Sequence, residues 1–79
     1  MKDILETIVK HLVENQDAVK ITEATDSENE KIVKFTVNVA KEDMGKIIGK
    51  QGKNARAIRT VMKSVAAKER KKVDIEFDE

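Results

Sequence analysis

Gly49, Lys50, Gln51 and Gly52 are the residues of this 79-residue chain whose types and spacing most directly suggest chemistry. Glycines lack a Cβ, so the pair permits a turn whose backbone a phosphodiester can approach closely. The helical pattern that starts at Lys53 would turn unpaired N–H groups and the positive end of its dipole toward the same anion. Lys50, Lys53 and Arg56 add mobile or fork-like cationic donors around it. This is the chemistry of gripping a phosphate backbone. Competing glycine motifs fail on spacing. A Walker A loop needs four residues between its glycines and then Lys followed by Ser or Thr, whereas Gly45 to Gly49 encloses three and Gly52-Lys53 is followed by Asn54. No G-x-G-x-x-G occurs, so a dinucleotide site has no support.

Charge supports the phosphate reading once its distribution is considered. The net charge is only +1, but residues 41–72 carry 11 Lys and Arg against 3 Asp and Glu, while the rest carries 5 against 12. Such segregation implies one polyanion-facing surface on an otherwise acidic body. Catalysis finds little to work with. There is no cysteine, which excludes disulfides, thiolate metal sites and a Cys nucleophile. The single histidine, His11, lies at the border of an apolar stripe with no second histidine to share a metal. The carboxylates fall mostly on expected strand and loop positions. We therefore expect no enzyme, no metal and no cofactor. Asp3, Glu6, Lys10 and His11 interrupt the apolar residues of the N-terminus, so neither a signal-peptide core nor a transmembrane span is expected there, and a cytoplasmic protein is the default.

The elements that must hold this loop are legible from periodicity. Ile4, Leu5, Ile8, Val9, Leu12 and Val13 predict a helix over about Lys2 to Glu14. Alternation predicts half-buried strands at Ala18–Thr25 (Val19 and Ile21 inward) and Lys31–Val39 (Val33, Phe35, Val37 and Val39 inward), paired as a hairpin across Asp26–Glu30. A short helix is predicted over Glu42–Ile48, with Glu42 and Asp43 favouring its N-terminal dipole, and it stops at Gly49. A longer helix should run over Lys53–Glu69, burying Ala55, Ile58, Val61, Met62, Val65 and Ala66. The last strand is Lys72–Phe77, with Val73, Ile75 and Phe77 inward. A single α+β domain spanning 1–79 follows, ordered α-β-β-α-α-β, with a three-stranded sheet and its helices on one face.

Two further rows run along the long helix. At about 100° per residue, Arg56, Arg59, Lys63 and Arg70 fall in one wedge of roughly 60° beside the buried stripe, extending the basic surface away from the loop. Ala57, Thr60, Ser64 and Ala67 lie within about 80° of one another, small and uncharged on a helix otherwise crowded with Lys and Arg. With Val61 at its margin, that row is the expected contact between two copies in a symmetric dimer.

The run Ile47-Ile48-Gly49-Lys50-Gln51-Gly52-Lys53-Asn54-Ala55 resembles the signature of KH domains, and the preceding helix and hairpin match their type II arrangement. The stretch Val39 to Arg59, with Glu42-Asp43-Met44-Gly45-Lys46, is similar to the small bacterial single-KH proteins of the KhpA family. The resemblance implies a groove for about four nucleotides of single-stranded RNA. One side would be the loop Gly49–Gly52 and its flanking helices, with a floor of Ile47, Ile48, Ala55 and Ile58. The other would be the last strand and a short basic loop at about Glu69–Lys72. Ala55 stands where many KH motifs carry a larger aliphatic residue, which implies a shallower groove. With no Trp or Tyr, base contacts are expected to be aliphatic packing and hydrogen bonds, and binding to be weak and phosphate-led. The family further implies an RNA chaperone or adaptor linked to cell elongation and division, self-association, and pairing with a larger KH-containing protein, KhpB. The alternative is a dimerisation or protein-interaction module that binds nucleic acid only incidentally.

Overall fold

A computed structural model describes residues 1–78. Helix α1 (Lys2–Leu12) leads into strands β1 (Lys20–Thr25) and β2 (Ile32–Asn38), then α2 (Met44–Ile48), α3 (Lys53–Lys68) and β3 (Lys72–Asp78). The expected order and α+β layering are observed. The sheet is ordered β1-β2-β3, with β2 antiparallel to β1 and parallel to β3. A parallel neighbour cannot be reached by a tight turn. The α2–α3 crossover supplies the path and leaves β3 at a sheet edge.

Pleating decides the two faces of the sheet. Val33, Phe35, Val37 and Ile75 are buried together with Leu5, Val9 and Val13 of α1 and its exit, Met44 and Ile47 of α2, and Ile58 and Met62 of α3. Lys34, Asp74 and Glu76 point the other way and are exposed. Only Ile21 of β1 is buried; Glu23 and Thr25 share its pleat direction but are exposed, so the helices do not cover that end of the strand. The hairpin closes with side-chain turns typical of Asp and Asn: Asp26 Oδ1 accepts from the Glu28 N–H at 2.8 Å and Asn29 Oδ1 from the Lys31 N–H at 3.0 Å. Its acidic tip lies beside the turn into β3, where the Lys72 N–H donates to the Lys31 carbonyl at 2.8 Å.

Several boundaries differ from the expected ones for identifiable reasons. Helix α1 stops at Leu12, not Glu14, because Val13 is extended and the Glu14 and Asn15 N–H groups turn to Asp43. Ala18 belongs to a short 3₁₀ turn, Gln16–Ala18, before β1. The short helix divides into a 3₁₀ turn over Lys41–Asp43 and α2 proper. The expected burial of Val61 is overturned, since it is 46% exposed, and Ile4 of α1 is 42% exposed. Both stripes are wider than the core can cover. No helix among the described residues is long and apolar enough to cross a membrane.

Candidate nucleic-acid interface

The loop between α2 and α3 is a left-handed turn. Gly49, Gln51 and Gly52 all have positive φ. At φ 76° and ψ 174°, Gly49 occupies a region open essentially to glycine alone. A Cβ there would lie 2.8 Å from Asn54 Cγ and 2.9 Å from the Asn54 backbone nitrogen. Gly52, at φ 73° and ψ 17°, has nothing within 4 Å of its missing Cβ. The two glycines therefore do different work. Gly49 lets the chain pass Asn54, and Gly52 leaves open space above the backbone.

Three hydrogen bonds hold the turn. The Gly52 N–H donates to the Gly49 carbonyl at 3.1 Å, Asn54 Nδ2 to the Lys46 carbonyl at 2.8 Å, and Arg56 Nη2 to the Gln51 carbonyl at 3.1 Å. Asn54 thus ties α3 back to α2 behind the loop, a role that nothing in its sequence position announces. Lys50, Gln51 and Lys53 are exposed around it, and no acid occupies the first turn of α3. A lysine at a helix N-terminus opposes the dipole. The charge there does nothing for the helix and is exposed to solvent.

The loop opens onto a cleft of about 370 Å³ lined by Ile48, Gln51, Gly52, Ala55, Arg56, Arg59 and Phe77. A smaller one of about 90 Å³, lined by Arg59, Lys63, Val73, Asp74 and Ile75, continues along β3. The expected basic wedge is therefore brought together at Arg56, Arg59 and Lys63, facing the edge strand. Arg70 is not part of it by helical phase, because α3 ends at Lys68. Arg70 instead adopts φ 59° in the turn that follows, where the Lys71 N–H caps the Ala66 carbonyl at 2.9 Å. Glycine is the usual occupant of that position. Ile47 is wholly buried and Ile58 nearly so, which makes them the packing beneath the groove and not its surface; Ile48 and Ala55 are the residues that line it. Phe77, expected to point inward, is half-buried and borders the cleft.

A strut on the other side of α2 fixes the loop's base. Asp43 is 3% exposed and accepts from the Asn15 N–H at 3.1 Å and the Glu14 N–H at 3.2 Å. Those two donors, Asn15 first, hold its carboxyl below the ordinary aspartate value, with Lys46 adding to the effect against the opposing influence of burial. Asp43 keeps its expected place at the N-terminus of α2 and in addition fixes the chain that leaves α1, by accepting two of its N–H groups. Lys46 reaches Glu14 Oε1 at 2.7 Å and Asp43 Oδ1 at 3.9 Å, and the Glu14 hydrogen bond raises its pKa. One of the segregated bases is thus paired within the chain, although it stays exposed.

The row Ala57, Thr60, Val61, Ser64 and Ala67 is exposed on the neighbouring face of α3. Thr60 turns its hydroxyl back to the Arg56 carbonyl at 2.9 Å. Ala57 and Val61 border an apolar groove of about 460 Å³ shared with Ile8, His11 and Leu12 of α1. Sequence reasoning missed the α1 side, although the breadth of its apolar stripe carried the signal.

Comparisons with known proteins agree with this fold. The KhpA/KhpB KH-domain family matches residues 2–77. The RNA-binding protein KhpA of Clostridium acetobutylicum is 51% identical over 77 residues, covering 98% of this chain and 99% of that protein. The RNA-binding protein KhpA of Listeria monocytogenes is 42% identical over 80 residues, covering all of both chains. Among solved structures, a point variant of Aquifex aeolicus Era bound to GDP.AlF4- superposes with a TM-score of 0.62 at 18% identity, over 95% of this chain and 28% of that one, which bears on fold alone. With a family match over nearly its full length and relatives sharing about half its residues, the chain belongs to the KhpA/KhpB KH-domain family.

Proposed function

We propose that this protein binds single-stranded RNA without catalysing a reaction, clamping the strand between the Gly49–Gly52 turn and the edge strand β3. The observation that carries the reading is the left-handed turn opening onto a cleft with an apolar floor and cationic rim. Lys50, Gln51 and Lys53 meet the phosphates at the turn, and Arg56, Arg59, Lys63 and Arg70 continue along the strand's path. Ile48 and Ala55 line the groove over Ile47. KhpA relatives named as RNA-binding proteins support the choice of ligand. Phosphate contacts do not register the 2′-hydroxyl, so single-stranded DNA is the control ligand. The fitting role is a cytoplasmic RNA chaperone or adaptor acting in cell elongation and division.

A salt titration tests the mechanism. If about three phosphates are neutralised, log K falls with log salt at a slope near −2. A flat response overturns a phosphate-led clamp.

A homodimer through α3 belongs to the same reading, as does a heterodimer with a larger KH-containing protein such as KhpB. A chain of 8.9 kDa is expected to expose about 4,800 Å² when folded, and this one exposes 5545 Å². The apolar groove at Ala57 and Val61, with Ile4 exposed nearby on α1, is apolar surface available for a partner to cover. Small residues at Ala57, Thr60, Ser64 and Ala67 allow close helix approach, and the row lies on a different face of α3 from the cationic cleft. Ser64→Arg or Ala57→Arg is expected to give monomers with RNA affinity per site nearly unchanged. Sedimentation showing a monomeric wild type at tens of micromolar, or dimeric variants, sinks the interface.

A further inference from the structure

The groove contains an arginine that is placed unlike the others. Arg59 sends Nε and Nη2 to the Ile75 carbonyl of the edge strand β3, at 3.4 and 3.3 Å. Its guanidinium carbon lies 5.2 Å from the centre of the Phe77 ring, within cation–π range. It borders both clefts, and its neighbours in the larger one include the apolar Ile48, Ala55 and Phe77. A phosphate contact calls for a mobile or outward-facing cation in water, as Lys50 and Lys53 provide. Arg59 is instead a planar cation held by two bonds to one carbonyl, with its guanidinium carbon over the Phe77 ring and the residue still exposed to solvent. Guanidinium planes and aromatic rings are what unstacked RNA bases stack upon.

We infer that Arg59, backed by Phe77, is a stacking platform for one unpaired nucleobase and so contributes base contact, not only charge, to the groove. On this inference the base contacts are not aliphatic alone, because Phe77 borders the cleft instead of pointing wholly into the core. Of the five N–H groups of the guanidinium, three remain after the two bonds to Ile75 and lie in its plane, available to a neighbouring acceptor on the strand. Arginine is required in this role. Lysine keeps the charge but has neither the plane nor the fork.

This inference rests on the groove being the single-strand site, and the experiment separates the two. A short unstructured oligoribonucleotide is titrated against wild type, Arg59→Lys, Phe77→Leu and Phe77→Trp, each checked by circular dichroism and thermal melting. The titrations are repeated with a series of oligonucleotides in which one base at a time is replaced by an abasic residue. Wild type is expected to lose about tenfold in affinity when one particular base is removed, within the range for stacking. In Arg59→Lys that abasic penalty is expected to vanish while the salt slope stays unchanged. Phe77→Trp should keep the penalty and change its fluorescence on binding, which tests the platform even if the smaller Phe77→Leu side chain unfolds the domain. If wild type binds RNA but no single base removal matters, or Arg59→Lys keeps the full penalty, the platform is overturned and the clamp stands. If wild type fails to bind RNA, the clamp itself is overturned and the platform with it.

Discussion

Lys50→Asp combined with Gln51→Asp is expected to lower affinity for single-stranded RNA at least about a hundredfold while leaving the circular dichroism spectrum unchanged. A hundredfold corresponds to about 2.7 kcal/mol, within the several kcal/mol that like charges cost when forced together across an interface. Both side chains are exposed, and neither side chain is among those that hold the turn. The fold should tolerate the change well. Gln51 has φ 58° and ψ 27°, a left-handed conformation that Asp adopts more readily than most residues. The Arg56 bond to the Gln51 carbonyl is to the backbone and survives substitution. Retained affinity in a folded double variant would show that the turn does not hold the strand.

The second large effect is expected from Gly49→Ala. The added methyl meets Asn54 at 2.8–2.9 Å, including its backbone nitrogen, which cannot swing aside. The backbone at this position is itself closed to alanine, at a cost of about 1–3 kcal/mol before any collision. The turn must therefore open or distort. Loss of about 2–4 kcal/mol in urea unfolding and at least tenfold in RNA affinity is the outcome to look for. Gly52→Ala makes the contrast, because it meets only left-handed strain of about 1–2 kcal/mol and no neighbouring atom. Equal stability of Gly49→Ala and wild type would mean that the turn is not held as described.

What repeats locally along the chain is legible in it, and what depends on distant partners is not. Alternation in β2 and the 3.6-residue stripe of α3 mark their elements nearly to the residue, and the spacing of Gly49 and Gly52 marks the turn. The role of Asp43 escapes a local reading because its partners, Glu14 and Asn15, lie 29 and 28 residues earlier in the chain and no periodicity links them. Lys46 counts as available charge in the sequence for the same reason. Val61 and Ile4 look like core residues because a wheel shows how wide an apolar stripe is, but not how much of it the sheet can cover. Phe77 alternates with its neighbours toward the helix side, yet the strand lies at the edge, where the helix side is also the wall of the cleft. Asn54 has no sequence signal beyond its place after the loop, and only the approach of Gly49 reveals its function.

The acidic tip of the hairpin, Asp26, Glu28 and Glu30, leads into Lys31, whose carbonyl accepts from the Lys72 N–H where the basic run Arg70-Lys71-Lys72 enters β3. Those carboxylates are expected to offset the bases at that end, so that the positive potential should be strongest at the Gly49–Gly52 turn and fade toward the hairpin. On the proposed path this works as a fence across one end of a short lane. A strand that has filled the lane meets negative charge beyond it, and further nucleotides add length without adding grip. A long transcript would then gain occupancy by recruiting more copies of the domain, each reading its own short window, and not by wrapping farther around any one of them.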